Sequence, residues 1–510
     1  MIMSSYRKNA GSIIMLTGLT LGLICADGSA AVNPHANLSW QGRGTCLTCH
    51  EKEAQEMFGS VHYQWQGAAP AMSNGAARQG KMVGAVNAYC GNITGNWNGC
   101  GACHVGGGAP PEEQVSQAQL ENIDCLLCHQ KEYKRVRGAD GLFVPDEKNM
   151  TVTMDTAVRT LHRPERDNCL QCHAKGGGGD AYKRGDLALA HAATSDRSFD
   201  VHMAKTGAKL TCQSCHDFTG HRVMGQGADL YPTDKAGRVS CSTSACHVTI
   251  HGSGDISRHL ARVACQTCHI GTYARNASDT AATEATETYR SWATGHLLPT
   301  GVFHPEGRFA NNLMPEYRFW NGSAQGYSLY DQATFDPERG TYPITRPMGS
   351  ISDAESKLFP FKYKTAEQPY IPRSNQLLAL NTAVFFALGQ LDPAARSGLV
   401  NMGFPESEPY TMVLTDTFQT LNHEVMPRNQ ALSCTDCHGS AARMDLKAMG
   451  YALKNTMSKV CSQCHSFKSK TTPDFYRLHT KHVSTEKLDC SSCHTFSRPE
   501  RNLRAGIVRH

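Results

Sequence analysis

Two cysteines followed at once by a histidine recur ten times in this chain. The segments carry Cys46, Cys49 and His50; Cys100, Cys103 and His104; Cys125, Cys128 and His129; Cys169, Cys172 and His173; and Cys212, Cys215 and His216. They continue with Cys241, Cys246 and His247; Cys265, Cys268 and His269; Cys434, Cys437 and His438; Cys461, Cys464 and His465; and Cys490, Cys493 and His494. Two thiols three residues apart share a face of a helical turn and can add across the vinyl groups of a porphyrin. The adjoining histidine is then in place as an axial iron ligand, so C-x-x-C-H is the attachment pattern of haem c. Ten copies predict ten covalently attached haems, the sixth through a motif enlarged to four intervening residues.

These motifs use all of the 22 cysteines except Cys25 and Cys90. Zinc would need C-x-x-C units paired into tetrahedral sites and would not explain the histidine after every second cysteine. A disulfide framework needs no histidine either.

Of 24 histidines, ten are proximal ligands by this reading, and enough remain to give nearly every iron a second imidazole. His162, His202, His259, His423 and His482 each lie six to eleven residues before a motif's first cysteine. His479 and His482 form H-x-x-H ahead of Cys490, so one helical turn can serve two haems. His62, His221 and His251 are further distal candidates; His35 and His510 lie near the ends of the mature chain, and His296 and His304 read as structural. Two imidazoles on one iron make an electron-transfer centre, whereas catalysis requires an open or labile position.

Positioning so many porphyrins leaves little chain for a conventional core. The composition is 40% hydrophobic with 46 glycines and 22 prolines and little strand patterning. The expected fold is mainly α with much irregular loop, a multihaem cytochrome c arrangement organised around ten packed haems. Residues 1–31 read as a Sec-type signal peptide: Arg7 and Lys8, an apolar stretch from Ser12 to Cys25, then small residues ending at Ala31. Residues 32–269 form an N-terminal seven-haem region, 270–433 a motif-free scaffold insert, and 434–510 a C-terminal three-haem region. The insert carries Tyr289, Trp292, Tyr317, Phe319, Trp320, Tyr327 and Tyr330, with helical patterns near 374–391 and 393–402. Motif starts 24–29 residues apart (100/125, 212/241/265, 434/461/490) imply close porphyrin contact, as electron hopping requires.

Export places the chain in the periplasm, with an extracellular location as the alternative, and no second apolar stretch is long enough to span a membrane. The formal charge of +5 falls by one on loss of Arg7, Lys8 and Asp27. Haem propionates then make the holoprotein acidic, so nucleic acid is not an expected partner.

Between the motifs the text resembles the octahaem tetrathionate reductase family. The matches over roughly 46–450 include SVHYQW around His62, NAYC ending at Cys90, NIDCLLCH, GGGGD and RGDL after His173, and DVHM around His202. GH at 220–221, RVACQTCH, MPEYRFW at 314–320 and NHEVMP around His423 also match. The first eight motifs follow the family's order, and Cys461 onward looks like an added two-haem tail. The resemblance implies a catalytic second haem, held here by Cys100, Cys103 and His104. It also implies a distal asparagine and free thiol at Asn87 and Cys90, and a lysine nitrogen on the iron. The family's lysine lies between the third and fourth motifs, where Lys131, Lys134 and Lys148 stand; Lys134 is the candidate carried forward. Departures are Arg163 and Arg184 where the family has lysine and histidine, with His191 near the latter.

The expected function is a periplasmic decahaem reductase of small sulfur or nitrogen oxyspecies such as tetrathionate, nitrite or hydroxylamine. The alternative is a non-catalytic conduit to an outer-membrane or extracellular acceptor. Either would take electrons from a redox partner such as a membrane quinol-oxidising cytochrome.

Overall fold

A computed structural model describes residues 33–494 apart from 76, 90, 177–178, 226–231, 236, 243–245, 248–250, 252–254, 281–284, 439–442, 447, 452, 466–474 and 489–491. The signal segment with Cys25, and Cys90, Cys490 and His510, therefore lie outside the described residues.

Around the motifs the chain behaves as its spacing predicts, in short helical turns and loops. α1 (Leu47–Phe58) begins inside the first motif, α2 (Arg166–His173) ends on the fourth motif's histidine, and α3 (Cys265–His269) is the seventh motif itself. Each turn brings its two thiols to one side, leaving the apolar residues between motifs to pack in small separate clusters. One is Leu126, Leu127, Tyr133, Met154 and Val158; another is Ala54, Tyr63, Leu120 and Ile123.

The motif-free segment corrects the expectation of a mainly α chain. It holds a seven-stranded sheet built from β1 (Thr286–Leu297), β2 (Phe303–Ala310), β3 (Glu316–Trp320), β4 (Tyr342–Pro343), β5 (Lys357–Ile371), β6 (Gln376–Leu377) and β7 (Thr411–Thr420). The order is β4-β7-β5-β1-β2, with β3 and β6 also pairing with β5. β5 runs antiparallel to β7 from Phe361 opposite Thr420 to Tyr370 opposite Thr411, and parallel to β1 at Thr365–Glu367. Successive side chains point to opposite faces of a strand. Along β5, Phe359 and Phe361 thus pack with Phe418 and Trp320 on one face, while Lys362 and Lys364 enter the other. A strand buried on both faces, with lysines on one, does not show the apolar–polar alternation that marks a half-exposed strand. That is why the segment did not read as sheet.

The helical patterns of the insert are realised as α4 (Thr382–Leu388), shorter than expected at both ends, and α5 (Leu391–Asn401), within two residues of its expected bounds. Asn381 caps α4 by accepting from the amides of Ala383 and Val384, and Leu377–Leu380 before it run extended and buried. Both helices pack on Trp292 of β1 through Phe385, Ala394, Ala395 and Leu399. Among the described residues no helix is long and apolar enough to cross a membrane.

Candidate haem centres

Nine motif histidines each face a histidine from elsewhere in the chain. The pairs are His35–His50 at 6.1 Å between ring centroids, His62–His173 at 6.1 Å, His129–His221 at 6.5 Å and His202–His247 at 6.1 Å. The others are His216–His423 at 6.3 Å, His251–His269 at 6.2 Å, His259–His438 at 6.0 Å, His465–His482 at 5.8 Å and His479–His494 at 6.4 Å. Two metal–imidazole bonds of about 2 Å, plus roughly a ring radius at each end, give about 6 Å between centroids. The separations therefore fit an iron held between each pair.

The ring orientations fit as well, because a ligating imidazole ordinarily donates its other N–H to a carbonyl or carboxylate. His129 Nδ1 lies 3.0 Å from the His162 carbonyl, His216 Nδ1 2.9 Å from that of Met224, and His482 Nδ1 2.9 Å from that of Leu478. His423 and His221 use Asp186 and Glu56 in the same way, each at 3.2 Å. Nδ1 is anchored in all five, which leaves Nε2 for the metal.

His162 is not brought to any motif histidine. Its Nε2 accepts from the Lys131 amide at 2.9 Å and its Nδ1 lies 2.7 Å from the Arg163 carbonyl, so it orients His129 through its own backbone. His35, set aside in the sequence as terminal, faces His50 instead. His191 is sealed between Ala188 and Asp200 and faces no motif ring.

His104 stands apart. Its ring is surrounded by Tyr63, Trp65 and Trp97, at 5.0, 5.3 and 5.3 Å, and among the described residues no histidine ring faces it. Its Nε2 donates to the Tyr63 carbonyl at 2.5 Å, and its Nδ1 is buried without a partner. Burial lowers its pKa to about 4, partly offset by the Tyr63 carbonyl and reinforced by Arg135 and Lys81, so the imidazole is neutral, with its proton on Nε2 and not on Nδ1 as in the five anchored rings. Gly106 keeps room beside it, since a Cβ there would come within 2.6 Å of the ring. Tyr63 is itself fixed by hydrogen bonds with Gln119 and Asn122.

Arg135 clamps this loop. It donates to the carbonyls of Ala102, His104 and Gly106 at 2.8–2.9 Å and pairs with buried Asp124 at 3.0 Å, joining the second motif to the start of the third. Lys134, the lysine carried forward from the sequence, is exposed, because neighbouring side chains of an extended segment alternate in direction.

The lysines that do stand near the second motif are Lys81 and Lys183. Lys81 lies 4.2 Å above the Trp65 ring and Lys183 5.5 Å from that of Tyr89. The Cys103 thiol is held down to about 6, first by a hydrogen bond with Cys172 and further by the charges of Lys81, Lys183 and Arg135, against the opposing effect of burial. Asn87 and Gly91 exchange backbone hydrogen bonds at 2.9 Å, and Asn87 Oδ1 accepts from the Tyr89 amide at 2.9 Å. Gln368 of β5 donates to the Asn87 carbonyl at 3.2 Å.

Motifs distant in sequence also meet. Cys172 of the fourth motif lies against the second, its Sγ 4.0 Å from the Cys103 carbonyl oxygen.

The chain matches two protein families, the one described as Cytochrome c bacterial over residues 301–441 and that of Cytochrome c554 and c-prime over 45–130. It is 32% identical over 246 residues to an uncharacterized protein of Archaeoglobus fulgidus, covering 39% of this chain and 80% of that one. It is also similar to an octaheme cytochrome c from Shewanella oneidensis, with a TM-score of 0.69 and 27% identity. That likeness covers 87% of this chain and 99% of the other.

Proposed function

This chain belongs to the multihaem c-type cytochromes, and from that premise we propose that it carries ten haems c and acts in the periplasm as a reductase. On this reading nine haems sit between paired histidines and relay electrons, and the haem of His104 is the one at which a small sulfur or nitrogen oxyspecies is reduced. The observation that carries the reading is the His104 pocket, in which two tryptophans and a tyrosine stand around the ring and no histidine faces it among the described residues. The haem supplies the electrons; the chain supplies the rest. Burial keeps His104 neutral, the ring walls exclude water, and the Lys81 and Lys183 ammonium groups draw an anionic substrate toward the motif.

The second motif is joined to the start of the third by Arg135 and Asp124, so its haem would stand beside a neighbour able to pass it electrons. Electrons come from a quinol-oxidising cytochrome or comparable redox partner.

The nine facing histidine pairs also favour a second reading, a conduit to an outer-membrane or extracellular acceptor. Turnover of tetrathionate, nitrite and hydroxylamine by the holoprotein, with reduced methyl viologen as donor, decides between them. The reductase reading expects turnover of at least one substrate, slowed by C90A. A conduit turns over none and passes electrons to an external acceptor at the same rate with or without Cys90.

A further inference from the structure

His423 follows the end of β7 with its ring turned toward His216 of the fifth motif, the ring centroids 6.3 Å apart and the planes 25° from parallel. Its Nδ1 donates to Asp186 Oδ2 at 3.2 Å, and the Asp186 side chain is wholly buried. The same oxygen accepts from the amides of Asn422 at 2.9 Å and His423 at 3.4 Å. Arg184 donates to Asp186 through Nε at 3.0 Å and Nη2 at 3.4 Å, and to the carbonyl of Thr420, the last residue of β7, at 3.2 Å. Every one of these partners is a donor, which holds Asp186 as a carboxylate.

Orienting a ligand ring does not require that charge. His216, on the other side of the same pair, bonds to the Met224 carbonyl, and His129 and His482 also bond to carbonyls. Burying a carboxylate costs desolvation that a carbonyl does not, offset here by Arg184. What the charge adds is electronic. A carboxylate draws the Nδ1 proton toward itself, makes the imidazole more basic, and so favours ferric over ferrous iron at the opposite nitrogen. Burial is what keeps this effect strong. The carboxylates beside His221 and His50, those of Glu56 and Glu53, are 33% and 47% exposed, and water screens them. Glu424, next after His423, faces Arg275 at 3.3 Å, and Asp200 faces His191 at 3.6 Å, so their charges are turned to other partners.

We propose that Asp186, acting through the His423 ring, lowers the reduction potential of the fifth-motif haem and keeps it ferric where a carbonyl-anchored ligand would let it reduce. Asp186 is a positioning residue whose charge tunes the iron, and Arg184 moderates that charge from the far side of the carboxylate. The proposal rests on the pairing of His216 with His423 and holds whether the chain is a reductase or a conduit. A haem that gives up its electron readily passes it on instead of storing it, which serves either role.

The test is a redox titration of the full holoprotein, followed by absorbance and low-temperature EPR, for D186N and R184Q. D186N should raise the potential of one haem by about tenfold or more in its reduction equilibrium, about 59 mV for one electron. The others should move by less than about twofold, with the count of low-spin haems unchanged. R184Q, which leaves the carboxylate without its cation, should shift the same haem downward. A role confined to holding the loop gives no such pair of opposite shifts. Potentials unchanged in both variants, or moved in the same direction, overturn the proposal. If D186N instead releases His423 and a high-spin signal appears, R184Q decides: a downward shift supports the proposal and no shift overturns it. H423A should add one high-spin haem. If it adds none, the pairing fails and the tuning with it, while substrate turnover still decides the reductase reading.

Discussion

Replacing Arg135 by methionine should break the joint between the second and third motifs. Arg135 is almost wholly buried and Asp124 fully so, and the guanidinium also holds three carbonyls of the His104 loop and packs 4.1 Å from the centre of the Phe143 ring. In R135M, Asp124 keeps only the Tyr133 hydroxyl at 3.2 Å, because its other oxygen already lacks a partner. Removing one member of a buried ion pair costs about 3–5 kcal/mol, and each carbonyl left without its donor adds about 1 kcal/mol. D124N/R135M, which removes both charges, should recover part of that loss. Burial already raises the Asp124 pKa with Arg135 opposing it, and without Arg135 it rises further. A folded-state pKa above the unfolded value adds stability that is present at low pH and lost as pH rises, so R135M should approach the wild type at pH 5 and diverge from it at pH 8. Denaturant unfolding of the holoproteins, followed by near-UV and Soret circular dichroism, measures this. A loss below about 1 kcal/mol, or a double variant no more stable than R135M, would refute the reasoning.

Three further outcomes follow from particular residues. H35A removes the ring facing His50 and should add one high-spin haem to the EPR spectrum of the oxidised protein, whereas H162A should add none. Gly80 has φ +146°, and a Cβ there would overlap the Trp65 carbonyl, so G80A should destabilise the protein and perturb the His104 haem spectrum before the others. Burial raises the Asp200 pKa, but the hydrogen bond and charge of His191 outweigh it and hold the carboxyl below its ordinary value. Such a group stabilises above its unfolded pKa and ceases to as pH falls through the folded one. D200N should therefore be less stable than the wild type at pH 6, with the gap narrowing only as pH falls below the ordinary carboxylate range, measured by thermal unfolding.

The haem motifs and most of the histidines that meet them were legible because their chemistry is local: a fixed spacing within one helical turn, or a histidine just upstream. His35 was not, because its pairing with His50 depends on how the first loop folds back. His162 has the right spacing, yet its ring turns to the Lys131 amide. The sheet was hidden by Lys362 and Lys364, which make β5 look polar although both are buried. Their partners Tyr89, Tyr182 and Glu287 come from segments far apart in sequence, and no spacing announces them. Lys183 was missed for the same reason, while Lys134, one of three lysines between the third and fourth motifs, is exposed.

The central claim is that one haem differs from the rest, and low-temperature EPR of the fully oxidised holoprotein tests it most directly. The account predicts nine low-spin signals of the bis-histidine type and one haem that is not, which disappears in H104A. Ten bis-histidine signals, or an odd haem that survives in H104A, would contradict it.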